Sequence, residues 1–401
     1  MQYRPFGKLD WQGSALGFGA MRLPWIEEQD GGHIDEEQAI AMIRYAIDHG
    51  VNYVDTAYPY HEGQSEVLVG RALRDGYRDK VKVVTKMPSW EIKTAADFDK
   101  YLDIQLERLQ MEHVDIYLLH ALDKDRWPKL RDLGVLDWAE KAIARGRFDH
   151  LGFSFHDEYE VFQEIVDGYD RWAMAQIQYN YIDVKNQAGT KGLRYAASKG
   201  LAVVIMEPLL GGNLVRPPQP VQEIWDGAEA KRTPVDWALQ WLWNQPEVSL
   251  VLSGMSAMQQ VEENVASASA SAVGTLEPEE LTLFDQARKK YKALRPIPCT
   301  ACGYCMPCPQ NVDIPGNLGS YNNGISFDNM EGSRGHYGWL KLAHEEQGIL
   351  EHDVRAANCI QCGECEEKCP QSIPISQWMP VIHQVLGEEK PPVLELPDQT
   401  G

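Results

Sequence analysis

The chain has 401 residues, of which 44% are apolar and 24% are charged, so it is long enough for one large domain and a smaller one. Its formal net charge of −21 argues against nucleic acid or an anionic membrane as a partner, because phosphates would be repelled. The sequence has neither an apolar run of roughly 18 to 20 residues, as a membrane span needs, nor a signal-peptide core at its start, which predicts a cytoplasmic protein.

The pattern of apolar residues predicts alternating strands and helices. Residues 3–15, with turns at Gly7 and Gly13, predict a β-hairpin before the main fold. Predicted strands cover residues 15–19, 52–57, 81–86, 115–120, 150–154, 175–179, 202–206 and 248–253, and clear helices cover 36–49, 95–109, 136–145 and 235–243. This alternation predicts a (β/α)8 TIM barrel. An open, doubly wound sheet is the alternative, but no G-x-G-x-x-G motif follows the first strand.

Titratable side chains stand at the carboxyl ends of three successive predicted strands. Asp55 ends the second strand, and Tyr60 lies in the loop beyond it. Lys86 ends the third strand and His120 ends the fourth. In parallel α/β folds the carboxyl ends of the strands form the ligand-binding face, so we expect these four residues to meet at one rim. Any one of them could instead be structural, for example in a buried Asp–Lys ion pair.

The order and spacing of these four residues resemble the catalytic tetrad of the aldo-keto reductases. The resemblance continues through Gln64-Ser65-Glu66-x-x-x-Gly70-x-Ala72-Leu73 and covers the predicted barrel. It implies an oxidoreductase that transfers a hydride between NAD(P)H and a carbonyl or alcohol substrate. Tyr60 would be the general acid/base, with its pKa lowered by Lys86 and with Asp55 keeping Lys86 charged. His120 would orient the substrate oxygen.

The same resemblance implies where the nicotinamide cofactor would bind. Ser154 and Gln178 match the family residues that contact the carboxamide. Glu263 and Asn264 resemble its adenine-binding pair, and Gln260 stands where many members place the arginine that grips a 2′-phosphate. Other departures from the family pattern are Phe155-His156, Met206 and Gly254-Met255. Because the usual cations are missing, the choice between NADP(H) and NAD(H) stays open.

All eight cysteines lie between Cys299 and Cys369, and the preceding 298 residues contain none. They form two runs, Cys299-x2-Cys302-x2-Cys305-x2-Cys308-Pro309 and Cys359-x2-Cys362-x2-Cys365-x3-Cys369-Pro370. This spacing is typical of two [4Fe-4S] clusters, where three thiolates hold one cluster and the fourth, before a proline, is directed toward the other. Zinc sites generally pair two separated C-x2-C units, and a secreted disulfide scaffold would spread its bridges through the fold.

By resemblance to two-cluster ferredoxins, one cluster would be held by Cys299, Cys302, Cys305 and Cys369, and the other by Cys308, Cys359, Cys362 and Cys365. The long segment between the two runs has helical patterns at residues 338–347 and 353–358, which favours an α-helical ferredoxin type. The predicted domains are therefore a barrel (1–294), a mainly α-helical ferredoxin-like domain (295–387) and a flexible tail (388–401).

The role of the clusters is open, because such clusters can relay electrons or be purely structural. From Cys299 to Gly401 the chain has 14 acidic and 5 basic residues, which favours a basic protein as a redox partner. An electron-transfer protein that binds NAD(P)H and exchanges electrons through the clusters is therefore the alternative to a carbonyl reductase, although no flavin motif provides an intermediary. A nucleotide-sensing barrel without turnover is a third hypothesis. The loops expected to set the substrate, residues 23–32, 123–133 and 210–222, carry no recognisable pattern.

Overall fold

The computed structural model describes residues 1–28, 31–347 and 349–396. It divides into two compact units, one formed by Met1–Gly211 and Val235–Leu281 and the other by Gly212–Pro234 and Thr282–Gly401. Each unit has a hydrophobic core of its own. Two residues of the predicted 23–32 loop and the last five residues of the predicted tail lie outside the described residues.

Eight of the described strands close a parallel barrel in the first unit. The strands are β1 (Tyr3–Pro5), β2 (Gln12–Ser14), β3 (Leu16–Gly19), β4 (Trp25–Glu28), β5 (Gly31–Ile34), β6 (Tyr53–Asp55), β7 (Lys82–Met87), β8 (Val114–Leu122), β9 (Phe148–Phe155), β10 (Met174–Gln178), β11 (Ala202–Met206) and β12 (Leu250–Gly254). The barrel consists of β3 and β6 to β12, with β12 paired to β3. Each barrel strand overlaps a predicted strand, so the (β/α)8 fold is confirmed.

Two antiparallel hairpins accompany the barrel. The predicted hairpin at the start of the chain is present as β1 and β2. A second hairpin, β4 with β5, occupies the segment that the sequence pattern predicted only as a loop.

The described helices are α1 (Glu36–Asp48), α2 (Gln64–Ala72), α3 (Ala96–Leu109), α4 (Arg126–Asp132), α5 (Val135–Ala144), α6 (Tyr159–Asp167), α7 (Gly189–Ser198), α8 (Gln219–Asp226), α9 (Pro234–Trp243), α10 (Met258–Ser269), α11 (Pro278–Ala293), α12 (Ile314–Ser326), α13 (Met330–Glu345), α14 (Glu364–Glu367) and α15 (Ile375–Leu386). Short 3₁₀ helices cover Tyr60–Gly63, Arg78–Lys80, Leu210–Gly212 and Ala356–Asn358. None of these helices combines the length and the apolar character that crossing a membrane requires.

The barrel strands are buried on both faces, which explains their nearly continuous apolar sequences. In β11, Val203 and Ile205 join the core between the strands and the outer helices, whereas Ala202 and Val204 face the barrel interior. Phe6, from the loop of the first hairpin, packs with the interior residues. This alternation fixes which side chains each strand directs inward and which it directs to the helices.

The second unit is helical in its described part, as predicted for the ferredoxin-like domain. α12, α13 and α15 pack around a core that includes Trp378 and Met379, and partly buried cysteines line the edge of this core. Within the segment predicted as a tail, the backbone N–H of Val393 donates to the Tyr321 hydroxyl, which in turn donates to the Val393 carbonyl.

One glycine sets the distance between α2 and α3, the helices that precede and follow β7. A Cβ atom added at Gly70 of α2 would lie 2.2 Å from the carbonyl oxygen of Leu109, at the end of α3. Only glycine allows the two backbones to approach this closely.

Replacing Gly70 with alanine should therefore destabilise the barrel by about 1 to 3 kcal/mol, because α2 and α3 must separate. The measurement is the free energy of unfolding from denaturant titration. A suitable control is Gly338→Ala in α13, where an added Cβ meets no atom within 4 Å. That change should stabilise its helix by about 0.5 to 1 kcal/mol. Equal effects of the two substitutions would contradict the close approach of α2 and α3.

Candidate functional site

The carboxyl ends of β6, β7 and β8 bring the four predicted residues together. Lys86 Nζ donates hydrogen bonds to Asp55 Oδ1 at 2.5 Å, to the Thr56 carbonyl at 2.8 Å and to the Tyr60 hydroxyl at 3.3 Å. The rings of Tyr60 and His120 meet edge to face with their centroids 6.2 Å apart. Residues from the ends of three strands and from one loop thus form one cluster.

Burial governs the protonation of this cluster. Asp55 is 2% and Lys86 1% exposed. Burial acts against the ammonium form, but the interactions and hydrogen bonds with Asp55 and Tyr60 outweigh it and raise the pKa of Lys86 above its usual value. Burial also raises the pKa of Asp55, and Lys86 opposes that rise. The lysine therefore remains charged at neutral pH.

The pKa of Tyr60 moves in the direction opposite to the one expected from its neighbour. Burial raises this pKa above its usual value, while the charge of Lys86 opposes the rise without reversing it. The expectation from sequence considered only the ammonium and left out the cost of removing a phenolate from water. At neutral pH Tyr60 is a phenol, which is the form that can donate a proton.

His120 is neutral in this environment. Burial, and after it the charges of Lys86, His156 and Arg126, hold the pKa of His120 well below its usual range. Its Nδ1 atom is buried without a hydrogen bond to any described residue. The indole of Trp90 packs against the imidazole, with ring centroids 5.1 Å apart. A neutral imidazole can donate a hydrogen bond to an oxygen without carrying a positive charge into the site.

A β-bulge beside His120 fixes the local backbone. The pairing of β8 with β9 shifts its register between Leu119 and Leu122, and Ala121 has a φ of 53°. The Ala121 N–H donates to Ser154 Oγ at 2.7 Å, and Arg126 Nη1 donates to the Ala121 carbonyl at 2.8 Å. A positive φ at alanine costs about 1 to 2 kcal/mol, so these two hydrogen bonds stabilise a strained residue.

The residues predicted to contact the nucleotide lie at strand ends and on α10. Ser154 is buried in β9, and Gln178 ends β10, where its Nε2 donates to Asp183 Oδ2. On α10, Asn264 is buried and donates to Ser253 Oγ of β12 at 3.1 Å. The side chain of Gln260 accepts the Ser256 N–H, and that of Glu263 accepts a hydrogen bond from Gln259.

The barrel mouth also holds charged residues that were not predicted from the sequence. Glu207 follows β11, and burial, together with the charge of Asp183, raises the pKa of its carboxyl, while Arg22 opposes the rise. Asp183 lies shortly after β10, and Arg22 lies shortly after β3. The strand-end criterion that identified Asp55 would have found all three.

The cysteines of the second unit form two groups of four thiols. All eight are free of disulfide bonds. One pocket is lined by Cys299, Cys302, Cys305 and Cys369, and a second by Cys308, Cys359, Cys362 and Cys365, with Cys305 also at its wall. These are the two sets of four expected from sequence.

The chemistry of these groups fits iron–sulfur clusters. Burial raises the pKa of Cys305, and neighbouring thiolates of its own group raise it further. The pKa of Cys365 is raised to about 11, first by burial. Four thiolates so close together need a positively charged group between them, and a [4Fe-4S] cluster supplies one.

The sequence of residues 15–289 matches the family model described as the aldo/keto reductase family. The chain belongs to the aldo/keto reductase family. Residues 298–373 match a 4Fe-4S dicluster domain, and this range contains all eight cysteines. This aldo/keto reductase is therefore an NAD(P)H-dependent oxidoreductase with a dicluster domain at its C-terminal side.

Relatives of this aldo/keto reductase resemble its barrel. L-galactose dehydrogenase of Arabidopsis thaliana is 28% identical over 286 residues, which are 66% of this chain and 88% of that protein. The NADH-specific methylglyoxal reductase of Escherichia coli is 26% identical over 318 residues, with 66% and 93% covered. A solved aldo-keto reductase from Klebsiella pneumoniae in complex with NADPH is 26% identical, with a TM-score of 0.59, and 71% of this chain and 95% of that chain are covered.

Replacing His120 with glutamine should change how the stability of the barrel depends on pH. In the folded chain the pKa of His120 lies well below its unfolded value of about 6.5. As the pH falls through about 6.5, His120 therefore binds a proton in the unfolded chain but not in the folded chain. The wild type should therefore lose up to about 1.4 kcal/mol of stability per pH unit relative to His120→Gln. Denaturant unfolding of both proteins between about pH 8 and pH 5.5 measures this. A stability difference that is constant across this range would contradict the prediction.

Proposed function

We propose that this aldo/keto reductase reduces the carbonyl group of a small molecule, or oxidises the corresponding alcohol, with Tyr60 as the general acid/base. The observation that carries the proposal is the buried ion pair of Asp55 and Lys86 with its hydrogen bond to the half-buried Tyr60, and the neutral His120 beside it. A phenol that is hydrogen-bonded to a buried ammonium can release its proton, because the ammonium stabilises the phenolate that remains.

Each residue then has a defined part in reduction. NAD(P)H supplies the hydride when it is bound. Tyr60 donates its hydroxyl proton to the substrate oxygen, and the ammonium of Lys86 stabilises the resulting phenolate until solvent returns a proton. Asp55 keeps Lys86 charged, and His120 donates a hydrogen bond to the same oxygen as negative charge develops there. In alcohol oxidation the proton moves in the opposite direction.

The nucleotide contacts are part of the same proposal. Ser154 and Gln178 would hold the carboxamide, while Gln260, Glu263 and Asn264 would lie along the adenosine end. One relative is named as NADH-specific and one solved relative is in complex with NADPH, so the proposal includes either cofactor. We place the reaction in the cytoplasm.

Along the chain, residues 1–294 would form the barrel, residues 295–387 the iron–sulfur domain and residues 388–401 a tail. Two [4Fe-4S] clusters would be held there, one by Cys299, Cys302, Cys305 and Cys369 and the other by Cys308, Cys359, Cys362 and Cys365. The grouping of the thiols supports this assignment. When bound, such clusters accept or donate single electrons.

Replacing Tyr60 with phenylalanine should lower turnover about 10²- to 10⁴-fold, because the proton donor is lost. Binding of NADH and NADPH, measured by their fluorescence, and the iron content should not change. The matched control is Tyr77→Phe. Tyr77 lies before the amino end of β7, whereas Lys86 lies near the carboxyl end of that strand. Unchanged turnover in Tyr60→Phe with a panel of aldehydes and ketones would refute the proposed role.

The second candidate function is electron exchange with a basic redox protein through the clusters. It is favoured by one observation, the exposure of one cysteine in each group, Cys302 and Cys362, which would bring each cluster close to solvent. Because a hydride carries two electrons and a cluster takes one, this function also needs an intermediary of the flavin or substrate-radical type.

Electron relay predicts that anaerobic NADH or NADPH bleaches the visible absorption of the clusters without any carbonyl substrate. Paramagnetic resonance should then detect the reduced clusters. Clusters that stay oxidised with every nucleotide and substrate tested, while dithionite reduces them, would exclude the relay and leave a structural role.

A further inference from the structure

The loop that carries Tyr60 has a strained backbone. His61 and Glu62 have φ values of 49° and 57°, and Gly63 follows with a φ of 88°. Left-handed backbone costs about 1 to 2 kcal/mol at each residue that is not glycine. Such a loop keeps its shape only where surrounding contacts determine it, and strain of this kind is concentrated at functional sites.

Arg108, on α3, holds this loop from outside. Its Nη1 donates to the Tyr58 carbonyl at 3.1 Å, and its guanidinium carbon lies 4.4 Å from the centre of the Tyr58 ring. A Cβ atom added at Gly63 would lie 3.0 Å from Arg108 Nη2. The arginine therefore packs along both ends of the segment that contains Tyr60.

Arg108 is itself fixed by a buried carboxylate. Its Nη1 lies 3.2 Å from Oε2 of Glu66, which is 0% exposed. The other oxygen of Glu66 accepts hydrogen bonds from Thr85 Oγ1 and Gln105 Nε2, each at 2.6 Å. Burying a charge is expensive unless donors surround it, and here three side chains provide them.

The same network reaches the backbone of the catalytic lysine. Gln105 Nε2 donates to the Lys86 carbonyl at 3.0 Å, and the Tyr117 hydroxyl donates to Gln105 Oε1 at 2.7 Å. Gln105 and Tyr117 are both fully buried. One carboxylate, that of Glu66, is thus linked to the loop of Tyr60 through one oxygen and to the strand of Lys86 through the other.

We propose that Glu66 is a positioning residue that sets the distance between the Tyr60 hydroxyl and Lys86 Nζ. The inference rests on the proposed role of Tyr60 as the general acid/base. The distance between these two atoms is 3.3 Å, which leaves little room for displacement before the hydrogen bond is lost. A displacement of about 1 Å in an active site can lower the rate about 10²-fold.

The test is Glu66→Gln, which keeps the size of the side chain but removes its charge and places a donor among donors. We expect kcat to fall about 10- to 100-fold, with nucleotide affinity and KM changed less than about 3-fold. The probe substrates are methylglyoxal and 4-nitrobenzaldehyde, each with NADH and with NADPH. Arg108→Met should have the same effect, and Arg108→Lys, which keeps a cation, should recover part of the activity.

The matched control is Asp115→Asn. Asp115 is also a buried carboxylate, and it accepts hydrogen bonds from Lys82 Nζ and the Val83 N–H, each at 2.8 Å. It lies at the start of β8, at the end of the barrel opposite Tyr60. Its loss should lower stability as much as Glu66→Gln does, without changing kcat. A kcat reduced equally in both variants would mean that Glu66 only stabilises the fold.

A second readout does not depend on the choice of substrate. Hydrogen exchange of the backbone amides of residues 60–63 should be at least about tenfold faster in Glu66→Gln and Arg108→Met than in the wild type or Asp115→Asn. Unchanged exchange would overturn the inference even if no probe carbonyl were reduced.

Tyr60→Phe, measured in parallel, separates the two proposals. If it keeps its turnover, the proposed role of Tyr60 is wrong. If it is inactive while Glu66→Gln and Arg108→Met turn over like the wild type, only the positioning role is wrong. Should Glu66→Gln fail to fold, the two Arg108 variants decide the question alone.

Discussion

The buried contact between Lys86 and Asp55 is the constraint on which the rest of the site depends. Removing two ions from water costs several kcal/mol each, so the pair depends on the hydrogen bonds that the ammonium makes, since Asp55 Oδ2 has no hydrogen-bond partner among the described residues. Lys86 has three donor hydrogens, and three acceptors surround it, on Asp55, Thr56 and Tyr60. The hydroxyl of Tyr60 therefore completes the coordination of a buried ammonium, and the loop that supplies it must hold its shape.

The charge of Lys86 also acts on the pKa of two neighbouring groups, in both cases downward. It opposes the rise that burial causes in the pKa of Tyr60, and it helps to lower the pKa of His120. Loss of this charge would make the phenol a weaker acid and the imidazole a stronger base. Burial thus keeps Tyr60 protonated and His120 neutral, and the ammonium makes the phenol a stronger acid and the imidazole a weaker base than burial alone would.

Much of this could be predicted from sequence, for a physical reason. Parallel barrel strands are buried on both faces and read as apolar runs, and polar residues at their carboxyl ends mark the rim, so Asp55, Lys86 and His120 were recognisable. The bulge at Ala121 was not, because alanine gives no sign of a positive φ. The links from Glu66 to Gln105 and Arg108 join two helices and depend on tertiary packing. The direction of the Tyr60 pKa depends on burial, which sequence spacing does not contain.

The two cysteine runs show how different sequences can build one local geometry. Ala301 and Gln361 both have a positive φ, and each donates its N–H to the cysteine two residues earlier, Sγ of Cys299 and of Cys359, at 3.4 Å. Gly303 and Gly363 then repeat the positive φ after Cys302 and Cys362. Successive turns of this kind form concave nests of N–H groups that favour an anion. Since an iron–sulfur cluster with four thiolates is anionic overall, the backbone would stabilise the cluster that the cysteine side chains would ligate. The residue types at the first of these positions differ between the two runs, whereas the second position is a glycine in both.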